Sequence, residues 1–277
     1  MQAARHGCKA LDEEMTMTSI RIIRGGETIA AAQGAQEAAL LFAGAYQSGD
    51  EIRFETGYRH AVVQVDQSVA PARVYLPDGA FTYRPPLEGD GLAVYAPGAF
   101  MGEKHLISIR PDTDRSYRNL ARNPADQRGG VQAYPHATAN VETRNESVFA
   151  ARNTIDGEHI AAGHGEWPYG SWGIGARTDA RMTLDFGREV EIDTMVLYLR
   201  ADFPHDAYWI EGTVSLDDGT ETTFPLEGKD GPQRVWLGAH RVRTLTLHHL
   251  IKCDMPSAFP ALRQIEVYGR DVRQENE

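Results

Sequence analysis

The stretch 208–226, YWIEGTVSLDDGTETTFPL, decides the fold class. Two short strand-like runs, 208–215 and 221–226, flank Asp217-Asp218-Gly219. Asp-Gly between such runs signals a tight hairpin, because that turn needs backbone with positive φ. The same rhythm continues on both sides. Runs at 180–186, 194–200, 233–237, 244–250 and 264–268 complete a second-half set, and runs at 19–24, 40–46, 50–55, 60–66, 72–76, 81–84 and 105–110 form a first-half set. Their connections carry Ser48-Gly49-Asp50, Pro77-Asp78-Gly79, Pro85-Pro86 and Gly89-Asp90-Gly91. Short strands at such spacing with Gly, Pro and Asp turns specify antiparallel β-sandwiches and not a βαβ fold. One stretch dissents. Residues 28–39 are Ala-rich and predict one or two helical turns, with Gly34 working against them.

A chain of 277 residues is long for one small sandwich and suits two. Residues 111–133 turn polar and rich in Pro, Asp, Asn and Gly, which marks a linker. The expected organisation is a disordered leader over 1–18, an N-terminal sandwich over 19–112 and a C-terminal sandwich over 113–277. The leader could equally be an upstream start ahead of Met15 or Met17.

Composition narrows the function. Hydrophobic residues are 42% and charged residues 24%, enough to fill a core in each half. The net charge of −11 repels phosphate backbones and anionic lipid, so neither nucleic acid nor membrane is an expected partner. Cys8 and Cys253 give no disulfide framework, and no apolar run approaches the roughly 20 residues of a membrane span. With no apolar centre to the leader, the expected location is cytoplasmic.

Several motifs in the second half follow a recognisable order. Asn119-Leu120-Ala121 opens it. Ala151-Arg152-Asn153-Thr154-Ile155-Asp156-Gly157 follows, then Leu184-Asp185-Phe186-Gly187, and Gln264-Ile265-Glu266-Val267-Tyr268-Gly269 closes it. Each alone is weak; in this order, across about 150 residues, they resemble the discoidin (F5/8 type C, galactose-binding-like) family. The resemblance implies a jelly-roll sandwich with a ligand site on the loops at one end, and a sugar as the ligand in many relatives. It also implies a structural calcium ion held by Asp156 and Glu158 in the Asp-Gly loop and by the closing strand. There Gln264 stands where the family has a glutamate, so the site loses a charge. The other reading of Asp156 is a local Asx turn.

Three loop clusters carry the candidate chemistry. The first runs over 134–140 and on to Glu142 and Arg144, and contains His136, just after Pro135. The second, residues 164–173, contains His164, Trp167, Tyr169 and Trp172; exposed rings suit the C–H faces of sugars. The alternative is that Trp167 or Trp172 plugs the core, since Trp is mostly buried. The third follows a strand end and contains Arg200, Asp202, His205, Asp206 and Tyr208. Arg and Asp side by side can grip vicinal hydroxyls, or can form an ion pair that only pins the loop. No G-x-S-x-G elbow, Walker loop, H-E-x-x-H or G-x-G-x-x-G occurs. The leading expectation is a protein that binds a mono- or oligosaccharide through these loops, as a homo-oligomer or beside a carbohydrate-active enzyme. The runner-up is a lyase, hydrolase or isomerase on a small glycoside, using His and Asp as acid and base. The third is an interaction scaffold.

Overall fold

The protein is described by a computed structural model covering residues 17–130, 132–202 and 207–272. Its first-half strands are β1 (Thr18–Arg24), β2 (Glu27–Gly34), β3 (Ala38–Phe42), β4 (Glu51–Glu55), β5 (His60–Gln64), β6 (Ala72–Tyr75), β7 (Ala80–Tyr83) and β8 (His105–Pro111). They form two antiparallel sheets in the orders β2-β1-β4-β7 and β3-β8-β5-β6. Alternation decides what lies between them. Ile20 and Ile22 of β1, Ile52 and Phe54 of β4, Val63 of β5 and Ile107 and Ile109 of β8 are all fully buried in one core. Each such side chain contributes about 1.5–3 kcal/mol by leaving water.

The Ala-rich stretch forms strand and not helix. Ala30 pairs with Ile22 and Ala32 with Ile20 across β1 and β2. Alanine's helix preference is a fraction of a kcal/mol per residue, and a full ladder against β1 outweighs it. The expected leader lies outside the described residues except for Met17 and Thr18, and Thr18 already opens β1.

The second half contributes β9 (Arg118–Asn119), β10 (His136–Ala139), β11 (Trp172–Gly173), β12 (Met182–Leu199), β13 (Trp209–Leu216), β14 (Glu221–Pro225), β15 (Gln233–Lys252) and β16 (Ala261–Asp271). The Asp217-Asp218-Gly219 turn joins β13 to β14 as the sequence predicts. β12 and β15 are unusually long, with 18 and 20 residues. Their register shifts between Asp185 and Val190, and Gly187 there has φ of 69°. Before the shift β12 pairs with β10; after it, with β16. The bulge bends the strand, so one continuous ladder wraps around a single core that includes Leu184, Phe186, Met195, Leu197, Leu245 and Ile265.

The opening and closing motifs meet. Asn119 Oδ1 accepts the backbone N–H of Val267 at 3.1 Å and of Ala121 at 2.9 Å. The two halves touch through Tyr75 and Tyr134, whose backbones exchange hydrogen bonds of 2.8 and 3.0 Å. Among the described residues no helix is long and apolar enough to cross a membrane.

Candidate functional site

The loops at one end of the second half enclose a hollow of about 170 Å3. Its polar wall starts where β12 ends. Arg200 donates its backbone N–H to the carbonyl of Ala261 at 3.0 Å, which fixes the loop to β16. Its side chain, 5% exposed, bridges inward: Nε lies 2.5 Å from Asp202 Oδ1, and a terminal nitrogen donates to the carbonyl of Phe259 at 2.5 Å. Burial pulls the Arg200 guanidinium below its ordinary pKa, and the charge of Asp202 opposes that pull. Asp202 Oδ2 in turn holds Nδ1 of His164, whose side chain is 43% exposed. A carboxylate on one ring nitrogen fixes the orientation of the imidazole, which lines the hollow.

The rest of the lining is mixed, apolar and polar, and comes from other loops. Phe259 presents a half-exposed ring, and Phe149 lies beneath the guanidinium of Arg144, 5.3 Å from its centroid. Arg144 is held by Glu146 through two bonds of 2.6 and 2.7 Å. Thr143 Oγ1 accepts the N–H of Gly175 at 2.9 Å. The approach is tight: a Cβ on Gly173 would fall 2.7 Å from Thr143 Oγ1 and 3.3 Å from Phe149. Only glycine lets β11 pass so close to that turn.

The residues singled out in the sequence divide. His164, Arg200 and Asp202 come together. Here the anticipated Arg200–Asp202 ion pair is present; Arg200 lines the hollow, and Asp202 stands behind it. His136 belongs elsewhere: it is 5% exposed, and its Nδ1 meets Asp126 at 2.6 Å. Burial opposes charging this ring, but the hydrogen bond and charge of Asp126 outweigh it and raise its pKa above the ordinary imidazole range. The turn at 142–145 separates it from the hollow. Trp172 is fully buried, donates Nε1–H to the carbonyl of Val141 at 2.9 Å and lies 6.3 Å from the Trp209 ring. It is the core plug, because a flat apolar ring on β11 has the interior on its inward face. Trp167 points away to a cleft against Val94, Tyr95 and Arg152, and its N–H donates to the carbonyl of Ala93 at 2.8 Å. Tyr169 folds back over Gly163, and Tyr208 over Gly228. His205 and Asp206 lie outside the described residues.

Arg144, at the end of the first cluster, lines the hollow, whereas Thr143, Phe149 and Phe259 were missed. Phe259 carried a usable signal: an aromatic residue between Ala258 and Pro260, in a loop already broken by Pro256. Nothing local marked the other two.

The loop residues expected to hold calcium have a different chemistry. Gln264 Nε2 donates to Asp156 Oδ1 at 2.8 Å, the N–H of Glu158 donates to the same oxygen at 2.8 Å, and Gly157 N–H donates to Gln264 Oε1 at 3.2 Å. The Arg263 guanidinium, 1% exposed, lies 3.4 Å from Asp156. Calcium needs roughly six to eight converging oxygen ligands. Here donors and a fixed cation already surround the one carboxylate, so these residues do not fit the ion. The Asx-type turn at Asp156 is present. Among the described residues no three His, Cys, Asp or Glu side chains gather as a metal site.

No family model matches the chain, and no curated protein matches it. Solved structures similar to it include carbohydrate-binding modules and a lectin domain. Chitosan-binding module 1 of a chitosanase/glucanase from Paenibacillus sp. IK-5 is 20% identical, with 56% of this chain and 100% of the module covered and a TM-score of 0.40. The family 32 module from C. perfringens, solved with galactose, is 12% identical over 55% of this chain and 99% of the module, TM-score 0.40. The lectin domain of lectinolysin, solved with Lewis B antigen, is 14% identical over 58% of this chain and 99% of the domain, TM-score 0.40.

Proposed function

We propose that this protein binds a carbohydrate and that the hollow beside Phe259 receives a single sugar ring. The observation that carries the reading is the pairing of an exposed aromatic face with an oriented polar triplet. The Phe259 ring suits a sugar's C–H face, while the polar side chains that share the lining, His164, Arg144 and Arg200, are of the kind that hold its hydroxyls. A volume of about 170 Å3 is below the roughly 300–1,000 Å3 of pockets for drug-sized ligands, so one ring and not a chain is the better fit. The segment 113–277 is the binding unit on this reading, and 19–112 supports it.

Hydrolysis is the weaker reading. Glycosidases use two carboxyl groups flanking the reacting bond. Among the described residues lining the hollow there is no Asp or Glu, and Asp202 stands behind His164.

Calorimetric titration with a panel of hexoses, deoxyhexoses and hexosamines tests the proposal. One sugar should bind the native protein, and both His164→Ala and Phe259→Ala should weaken it. Binding that survives both substitutions refutes the placement. Chromatography of the same samples should find the sugar unchanged; a product would move the reading to an enzyme.

A further inference from the structure

The outer face of the central strands β15, β12 and β16 bears features that a merely solvated sheet does not need. Met195, Leu197, Ile265 and Val267 point into the core. Their neighbours at alternate positions therefore point out. Register sets these in rows across the three strands. Trp236, Thr194 and Tyr268 form one row; Arg234, Val196 and Glu266 form the next; Arg241, Glu191 and Arg270 lie on the other side.

The first row is aromatic and open. Trp236 is 69% exposed, more than any other Trp or Tyr among the described residues. Tyr117 is 43% exposed and stacks on Tyr268 with centroids 6.0 Å apart and planes at 25°. Trp236 and Tyr268 are two strands apart, about 9.5 Å at the usual strand spacing. Val196, although it points outward, is 1% exposed, so its neighbours close over it and give the face an apolar floor.

The polar groups are ordered in a particular way. The carboxylates are held inside the face: Asp193 accepts from the Tyr117 hydroxyl and from Thr194, both at 2.6 Å, and Glu266 faces His159 at 3.0 Å and accepts from the Tyr268 hydroxyl at 3.2 Å. Arg234, Arg241 and Arg270 stand exposed. Arg270 lies over the Tyr117 ring at 5.7 Å, and Arg241 reaches Glu191 at 3.8 Å. Beside them the surface dips into a concavity of about 820 Å3, lined by Arg115, Tyr117, Arg241 and Arg270 and by two carboxylates, Glu191 and Asp271, the latter already bridged by Arg118 and Arg188. In a chain of net charge −11, this is a local concentration of guanidinium groups next to aromatic faces.

We propose that this face binds an extended acidic polysaccharide, one whose sugar rings carry carboxylates. Trp236 and Tyr117 stack on ring faces, and Arg241 and Arg270 take carboxylates in the two-pronged geometry guanidinium favours. The half-exposed carboxylate Glu191 and the held one, Glu266, accept from sugar hydroxyls. A phosphodiester backbone offers acceptors only, so those same carboxylates would repel it. The face is separate from the hollow beside Phe259 and does not depend on that site's being a sugar site.

The test uses the whole protein with three probes at low salt: an oligogalacturonate, a neutral cello-oligosaccharide of equal length, and a single-stranded oligonucleotide. The oligogalacturonate should bind, more weakly as salt rises. Trp236→Ala and the double variant Arg241→Ala/Arg270→Ala should each lower its affinity about tenfold or more, while Leu41→Ala, at an exposed position in the first half, leaves it unchanged. All of these positions are exposed, and an unchanged melting temperature shows that the variants are folded. The proposal is overturned by any of four results: no oligogalacturonate binding, equal or tighter binding of the neutral chain, equal or tighter binding of the oligonucleotide, or affinity that survives the face variants.

Discussion

Gln264 donates its side-chain N–H to Asp156 at 2.8 Å across 108 positions of sequence, tying the Asp-Gly loop to the closing strand. Arg263, beside it, places a guanidinium 3.4 Å from the same carboxylate. Together they make a cross-link of amide and ion pair where the motif resemblance leads one to expect a metal ion.

The first prediction concerns that cross-link. Thermal unfolding should show the same midpoint with millimolar calcium as with a chelator. Arg263→Ala should lower stability by about 3 kcal/mol, because it leaves the mostly covered Asp156 without its ion-pair partner. A rise in melting temperature on adding calcium would contradict the assignment.

Trp172 separates packing from binding. Trp172→Ala should cost about 3–5 kcal/mol in denaturant unfolding, as large aromatic truncations in cores do. Trp167→Ala, at a 37% exposed position, should cost far less. In the fraction that remains folded, neither should weaken a sugar held at Phe259 by more than a few-fold.

For the hollow itself, Gly173→Ala is a steric probe. The new methyl would meet Thr143 and Phe149 and crowd the wall of the site. Sugar affinity should fall at least tenfold, about 1.4 kcal/mol, as measured by titration calorimetry. A variant that binds normally would mean that the ligand does not enter there.

Acid should destabilise the contact between the halves. Burial first, then the charge of Arg188, pushes His60 from 6.5 down to about 4. The unfolded chain therefore binds more protons between those values, and stability falls as pH drops from about 6.5 to about 4. His136 has the opposite sign. Its folded pKa is raised, so its contribution is complete below the unfolded value of about 6.5 and is lost as pH rises through the folded one. Melting curves from pH 4 to 8 should show His60→Gln flattening the acid limb and His136→Gln flattening the neutral one.

Much of the fold was legible. The Asp-Gly turn at 218–219 and the alternating runs around it encode strand and hairpin locally, within a few residues. The exception, 28–39, shows the limit of local reading: alanines that favour helix in isolation became strand once β1 offered a partner. In the site, Arg200 and Asp202 were readable as a pair because they are two residues apart. Phe149 and Thr143 were not, because nothing near them in sequence distinguishes a wall of a hollow from a buried turn.

The sequence by itself determined an all-β chain, the place of its turns, and the loops in which rings and charges gather, since each follows from backbone preferences over short spans. Tertiary structure decided which of those groups meet. Trp172 faces inward because Val141, 31 residues away, takes its N–H. Arg200 faces the hollow because Phe259, 59 residues on, takes one of its own. Pairings at such separations depend on how distant strands stack, and no local pattern of residues carries that information.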